Sequence, residues 1–552
     1  MRHFPGMVLR EAQARAYLAQ AIWQEDAFPD VMERWVADRP DETHRDERRR
    51  ITNAALWRES ESIAAGLRTL GIGRGDVVAV QLGSSLDAIA VLIAISRIGA
   101  VAALLQVDLG REALRQSLLQ AGASVWVVAA THHGQPIAKT AMSLRSQLPE
   151  LRQVVVAADN PSAVPDGCPS LDEWRQAGLR LSKSDARLRP GPLDPFIMVF
   201  SAGTTGVPRG IVHLHANYLW AVRTYADVYG LKAGDGTLTL APLYHQTGML
   251  LGAVMPLVRG GRLLLMDRFS AQRTLRWIGE ERPRFIVGAP PHLVHLAQSP
   301  TLRDADTASV AMFLYAGAPV PSDILRQLQR DTGWRVGSLF GWSEGLLACG
   351  TRPDDPVEAV STTVGRAMPG MEIRLVDEDG RDVPAGETGE VWCRGPSFCA
   401  GYFHQPEAAA ERWDEAGWFH SGDLFRVDES GRYVYCGRTD DIINRGGTKI
   451  DPKVVEAAML RHPAVAEAAL VGVPDATLGR RTVACIVPRQ EWGVSLEALR
   501  GFLAELGLAK YELPDGLRLF DSLPKTVIGT VRRSVLSQWC ERGLGREPDS
   551  AV

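Results

Sequence analysis

The sequence is poor in cysteine: seven residues, at 168, 349, 393, 399, 436, 485 and 540, with neither paired metal-ligand spacing nor the density of a disulfide framework. That excludes a disulfide-stapled secreted scaffold and points to buried free thiols in a reducing compartment. Surplus charge of either sign is also lacking. A net charge of -4, with no long basic run and no aromatic-basic stripe, excludes the usual nucleic-acid binders. Residues 1–20 are interrupted by Arg10, Glu11 and Arg15 and lack the apolar core of a secretion signal, so a cytoplasmic location is expected. The longest uncharged stretch, 236–258, contains Pro242, His245, Gln246 and Pro256. These make it a poor membrane span and a better reading as core plus a site loop. There is no tandem repeat and no low-complexity tract.

What is present is length and ordinary globular composition. A chain of 552 residues exceeds one hydrophobic core, and 45% hydrophobic with 23% charged residues leaves no call for large-scale disorder. Leu56, Ile63, Leu67 and Leu70 fall at helical spacing within 53–70. Residues 77–82 then predict a buried strand, 86–98 an apolar helix, 125–129 and 154–157 strands, and 196–200 a strand entering a glycine-rich turn. Helix and strand in alternation favour a layered α/β fold with much parallel sheet. Beyond Pro369 the character becomes β-rich, with short strands at 372–376, 389–394 and 423–427 and a turn at Glu429-Ser430-Gly431-Arg432 before a strand at 433–436. A smaller unit follows, with strands at 468–473 and 483–487 and a helix over 495–506. The domains expected are 1–437 and 438–552.

The chemistry-bearing stretches begin with Ser201-Ala202-Gly203-Thr204-Thr205-Gly206-Val207-Pro208-Arg209-Gly210. Glycines let backbone N–H groups converge on an anion, the threonines add hydroxyl donors, and Arg209 supplies charge to phosphate oxygens. The spacing is not that of a P-loop, and composition alone leaves a surface turn as open as a phosphate cradle. Further along stand Phe340-Gly341-Trp342-Ser343-Glu344, then Gly417-Trp418-Phe419-His420-Ser421-Gly422-Asp423, then Gly437-Arg438-Thr439-Asp440-Asp441.

In that order, these four stretches resemble the signature elements of the adenylate-forming superfamily of acyl-CoA ligases, peptide-synthetase adenylation domains and luciferases, and the acyl-CoA ligases most of all. The resemblance spans most of the chain. It implies a large N-terminal domain of layered α/β subdomains with a β-rich subdomain, and a small mobile α+β C-terminal domain. It also implies substrates: coenzyme A and either a carboxylic acid with ATP or a preformed acyl-AMP, with Mg2+ as the metal. By position, Ser201, Gly203, Thr204, Thr205, Gly206 and Arg209 would bind phosphate. Gly317, Ala318, Trp342 and Ser343 would border the nucleotide, Glu344 would hold Mg2+, and Asp423 and Arg438 would contact the ribose. His245, in Tyr244-His245-Gln246-Thr247-Gly248, matches a gating position, and a purely structural histidine remains as good a reading. Asp440 matches the hinge, and Gly446, Gly447 and Lys449 match the loop that lines the CoA tunnel.

Three positions depart from the pattern. Ala202 stands where the family has serine, Arg209 where it has lysine, and Thr530 where it has the adenylating lysine. The last lies in Leu523-Pro524-Lys525-Thr526-Val527-Ile528-Gly529-Thr530-Val531-Arg532-Arg533, where every framing residue is kept. That lysine bridges the substrate carboxylate and the α-phosphate, so its loss predicts impaired adenylation with thioester formation retained, the acyl-AMP coming from a separate adenylating enzyme. Two other readings stand beside it: a complete two-step ligase in which Arg209, Arg532 or Arg533 covers for the lysine, and a non-catalytic adenylate-binding scaffold. Small residues at Ala316, Gly317, Ala318, Gly341 and Gly345 favour a roomy pocket for a bulky apolar acid.

Overall fold

The computed structural model describes residues 3–158, 160–182, 185–201, 208–445, 448–475, 478–489, 494–525 and 531–546. Two compact units emerge: Met1–Ile373 with Cys393–Phe419, and Arg374–Trp392 with His420–Val552. The expected hinge at Asp440 therefore falls inside the second unit, on the single-turn helix Thr439–Asp441. Among the described residues no helix is long and apolar enough to cross a membrane.

The first unit holds two large sheets. One has seven strands in the order Gly401–Tyr402, Arg209–Leu214, Pro195–Ser201, Val101–Leu104, Val77–Gln81, Val125–Ala129 and Gln153–Ala157. Pairing is parallel from Pro195–Ser201 to Gln153–Ala157 and antiparallel from Pro195–Ser201 to Gly401–Tyr402. Its central strands are continuous apolar runs because both faces are covered. The helix Leu86–Arg97 is buried from Leu86 to Ser96. It packs against the helices Asn53–Thr69 and Phe28–Asp38, and its amino end is capped by Ser85 Oγ, which accepts from Ala88 N–H at 3.3 Å.

The second sheet has nine strands, with a parallel centre of Arg335–Phe340, Met312–Ala316, Phe285–Gly288, Gly236–Thr239 and Arg262–Leu265. The uncharged stretch 236–258 resolves into the strand Gly236–Thr239, a turn, a π-helical segment Thr247–Val254 and the short helix Met255–Val258. Met249, Leu250, Leu251, Ala253, Val254 and Met255 are all buried core. A π-helix of that length is rare and tends to sit beside functional sites.

The four-stranded sheet, in the order Glu372–Val376, Gly389–Arg394, Phe419–Val427 and Tyr433–Arg438, matches the β-rich segment expected from the sequence. In the second unit, Val465–Asp475, Gly479–Pro488 and Gly516–Leu519 form a three-stranded sheet. Strand alternation sends Leu470 and Ile486 to one core, with the helices Pro452–Met459 and Leu496–Glu505, and Val471 and Cys485 to another, with Arg533–Glu541.

Two fully buried histidines staple the first unit while neutral. His44 Nδ1 accepts from Leu263 N–H at 3.0 Å and its Nε2–H donates to Asn53 Oδ1 at 2.7 Å. His213 Nδ1 accepts from the Asn217 amide at 2.9 Å and its Nε2–H donates to Ser343 O at 2.8 Å. Burial pushes both imidazoles down from the ordinary 6.5 to about 4. The unfolded chain takes up these protons near pH 6.5 and the folded chain only near 4. Stability from this source is therefore complete above 6.5 and is lost as pH falls to about 4, on the order of 3 kcal/mol for each. Urea midpoints should fall most steeply across that window, and less steeply in His44→Gln.

Candidate functional site

The nucleotide-facing residues expected from the sequence sit at the carboxyl ends of two adjacent parallel strands. Met312–Ala316 and Arg335–Phe340 are in register with Ala316 opposite Leu339, so Gly317-Ala318 and Gly341-Trp342-Ser343-Glu344 emerge side by side. In open α/β sheets ligands bind beyond such strand ends. Trp342 is half-buried, edge-on to Phe340 with ring centroids 5.3 Å apart and tilted on Phe419 at 5.6 Å.

Glu344 is buried at 7% exposure, and Tyr402 O–H donates to its Oε1 at 2.7 Å. Burial first, then the neighbouring Glu344 carboxylate, pushes the Tyr402 phenol far above its ordinary value, so it stays a donor. With Oε1 engaged, Oε2 is the oxygen left for a hard cation. One carboxylate oxygen is a fitting protein share for Mg2+, which keeps waters and substrate phosphates as its other ligands. Arg209 lies with its guanidinium 5.5 Å from the Tyr402 ring centroid and 3.7 Å from Glu411 Oε2. It is placed there by antiparallel pairing of Pro195–Ser201 with Arg209–Leu214, in which Ser201 faces Arg209. Gly203, Thr204, Thr205 and Gly206, with Ala202, lie outside the described residues.

Three residues behind this site escaped the sequence reading: His213, Asn217 and Tyr402. Asn217 uses every polar atom it has. Its Oδ1 accepts from Leu214 N–H at 2.7 Å, and its Nδ2 donates to His213 Nδ1 at 2.9 Å and to Ser397 O at 2.8 Å. Through His213 it fixes the Ser343 carbonyl next to Glu344. His213 and Asn217 are four residues apart, a spacing with no recognisable motif. Only the strand-to-helix junction at 214–215 brings them to one polar knot.

His245 lies two residues before the π-helical segment Thr247–Val254. Its Nδ1 accepts from Thr247 N–H at 3.3 Å and burial holds its pKa below the ordinary value, so it is a neutral ring carrying its proton on Nε2. The adjacent Gln246 accepts from Tyr218 O–H at 2.8 Å through Oε1, while among the described residues its buried Nε2 has no partner.

The glycines expected to leave pocket volume do not. A Cβ on Gly341 would meet Leu346 O at 2.5 Å, and one on Gly345 would meet the Phe398 ring at 2.9 Å. Both absences are consumed by close packing of the chain on itself. At these two positions the space expected for a bulky acid is already filled.

In the second unit Asp423 and Arg438 are brought together. They face each other across Phe419–Val427 and Tyr433–Arg438, with Arg438 Nη1 to Asp423 Oδ1 at 3.0 Å. Asp423 is buried, and its N–H donates to Ser421 Oγ at 3.0 Å. The ends of the segment that carries Thr530 are pinned to each other: Lys525 pairs antiparallel with Val531, and Arg532 N–H donates to Pro524 O at 2.8 Å. Lys525 Nζ is bound to Glu467 at 2.7 Å, and Arg533 to Glu456 at 2.6 Å and Asp441 at 3.2 Å. Thr530 itself, Gly446 and Gly447 lie outside the described residues, as do the side chains of Asp440 and Lys449.

Comparison with known proteins agrees with this layout. Residues 32–403 match the AMP-binding enzymes and 454–530 the AMP-binding enzyme C-terminal domain. The medium-chain fatty-acid–CoA ligase of Escherichia coli K12 is 29% identical over 98% of this chain and 95% of its own. The 2,3-dihydroxybenzoate-AMP ligase of Bacillus subtilis 168 is 29% identical over 95% of this chain and 96% of its own. Among solved structures, the anthranilate CoA ligase AuaEII in complex with anthranoyl-AMP superposes with a TM-score of 0.81 at 25% identity, covering 94% of this chain and 98% of that one.

Proposed function

The chain belongs to the AMP-binding enzymes, and on that premise we propose that it forms an acyl-CoA thioester from a preformed acyl-AMP and coenzyme A, releasing AMP, with adenylation slowed or lost. One observation carries the proposal: threonine at 530 inside an otherwise complete Pro-Lys-Thr-x-x-Gly-x-x-x-Arg frame. Adenylation brings a carboxylate against a polyanionic phosphate, and an ammonium at the point of approach screens that repulsion; a hydroxyl has no charge to do so. Two of the neighbouring cations are already committed, Lys525 to Glu467 and Arg533 to Glu456 and Asp441. Thioester formation needs no such cation, because the thiol attacks a mixed anhydride whose AMP is already a good leaving group.

In this reading Trp342, Ser343, Gly317 and Ala318 border the adenine, Asp423 and Arg438 hold the ribose, and the 201–209 segment with Arg209 holds the phosphate. Glu344 would hold Mg2+, which supplies positive charge to phosphate oxygens. Residues 1–437 and 438–552 act as the two moving parts about Asp440, with Gly446, Gly447 and Lys449 lining the thiol's path and His245 gating it. The unpartnered Gln246 Nε2 would donate to an acyl or pantetheine carbonyl, offsetting the cost of about 1–3 kcal/mol for a buried donor left alone. The adenylate comes from a separate enzyme.

Arg209 favours a second reading, the complete two-step ligase, because its only ion-pair partner among the described residues is the exposed Glu411 at 3.7 Å. Two parallel assays separate the readings: synthetic acyl-AMP with CoA, and free acid with ATP and CoA. Thioester in the first at a rate at least about a hundredfold above the second is expected. Equal rates would establish the two-step ligase, and turnover in neither tube would sink both readings.

A further inference from the structure

Away from the nucleotide residues, the first unit brings together three metal-ligating side chains that the proposed reaction does not use. His132 and His133 follow the strand Val125–Ala129 of one sheet, and Asp267 follows Arg262–Leu265 of the other. The three donor atoms, one from each residue, all lie within 4.8 Å of one another. His133 Nε2 is 3.1 Å and His132 Nδ1 3.6 Å from the same oxygen, Asp267 Oδ2. A hydrogen bond explains the first distance and not the second, which is too long for one. Both match the edge of a tetrahedron around zinc, roughly 3.3 Å when each ligand stands about 2.0–2.1 Å from the ion.

The surroundings hold the set in place. Ser84 N–H donates to Asp267 Oδ1 at 2.6 Å, orienting the carboxylate and leaving Oδ2 turned to the two imidazoles. A Cβ at Gly83 would stand 2.6 Å from that Oδ1 and 2.8 Å from His132 Nδ1, so only glycine admits the cluster here. The backbone of His133 has φ +46°, a left-handed conformation a non-glycine residue seldom adopts, within a turn closed by reciprocal bonds between His132 and Gln135. The rings of His132 and His133 stack with centroids 3.9 Å apart and 30° between their planes, which holds the two side chains together. His132 is largely covered and His133 is half-exposed, which leaves a side for solvent.

We propose that His132 Nδ1, His133 Nε2 and Asp267 Oδ2 form a site for a borderline divalent transition metal, zinc above all, with water as the fourth ligand. Two imidazoles and one carboxylate select zinc and its neighbours over Mg2+, which prefers oxygen alone. The site is tied to the segment of Tyr244 and His245, since Ser84 Oγ accepts from Leu243 N–H at 3.2 Å. Metal at this point would therefore pin the 132–135 turn and that segment together.

The test is calorimetric titration of zinc into the full-length, metal-stripped protein in excess Mg2+, with the wild type, His133→Ala and Asp267→Asn compared. One zinc per chain and a raised melting temperature are expected in the wild type, with affinity down about 10–100-fold in each variant. His133 is half-exposed at a turn, so His133→Ala is expected to keep the fold, with circular dichroism as the check. A cobalt-substituted sample should show visible bands of a four- or five-coordinate ion, lost in His133→Ala. No stoichiometric zinc in the wild type, or affinity unchanged in folded His133→Ala, would overturn the proposal. Neither result depends on whether adenylation is intact, because the readouts are binding and spectra.

Discussion

Thr530→Lys is expected to raise ATP-dependent adenylation of the cognate acid by about 10²–10³-fold, read as pyrophosphate exchange, while thioester formation from acyl-AMP changes by less than about threefold. A single preorganised charge or donor at a developing anionic centre is worth about 2.7–4 kcal/mol, which converts to that range. The gain is expected because Pro524, Lys525 and Arg533 are all present around Thr530. The backbone pairing of Lys525 with Val531 fixes both ends of the loop. The second half-reaction is insensitive because it needs no cation between two anions. An unchanged exchange rate would remove residue 530 as the cause and transfer the deficit to the phosphate loop, where Ala202 and Arg209 also depart from the pattern. The double variant Ala202→Ser with Thr530→Lys distinguishes these, since a gain only in the double places the deficit in both loops.

Asn217→Ala should be the most damaging conservative truncation near the site. It strands three buried partners at once: Leu214 N–H, His213 Nδ1 and Ser397 O. Each unsatisfied group costs about 1–3 kcal/mol, and a water entering the space left by the amide recovers part of that. The net expectation is about 3–5 kcal/mol, seen as a fall in the urea midpoint of the first unit. Asn217→Asp is expected to be no better despite its matched shape. A carboxylate still accepts from Leu214 N–H, but it sets lone pairs against His213 Nδ1 and the Ser397 carbonyl. A ligand effect should accompany the loss, because His213 Nε2–H holds the Ser343 carbonyl beside Glu344. The affinity for a non-hydrolysable acyl-AMP analogue should fall in Asn217→Ala even at temperatures where the unit stays folded, and an unaltered affinity would confine Asn217 to stability alone.

Much of the local architecture was legible in the sequence because it is governed by local pattern. The strands Val125–Ala129, Glu372–Val376 and Gly389–Arg394 have the predicted bounds, and the helix Leu496–Glu505 begins after Ser495, whose side chain accepts from Ala498 N–H. Runs of β-branched residues bounded by turn formers, and a hydroxyl before an apolar period, state such elements within a few residues of themselves. The signature stretches were legible for another reason: each is a short run of particular residue types, readable without knowing what lies beside it in space.

What depends on distance along the chain was not legible. That Pro195–Ser201 turns back antiparallel to Arg209–Leu214 while its other neighbour runs parallel follows from sheet order. The glycines at 341 and 345 looked like open space in sequence and proved to be filled by Leu346 and Phe398, a matter of packing density that composition cannot express.

The sequence by itself determined the family and placed an uncharged threonine at 530, because both reside in the identity of side chains within short stretches. The tertiary structure alone decided which polar groups share a proton or a cation: Tyr402 on Glu344, Asn217 on His213, and two histidines on an aspartate 134 residues beyond the nearer of them. Hydrogen bonds and metal coordination act over about 2–4 Å in space, and only the folded chain sets those distances.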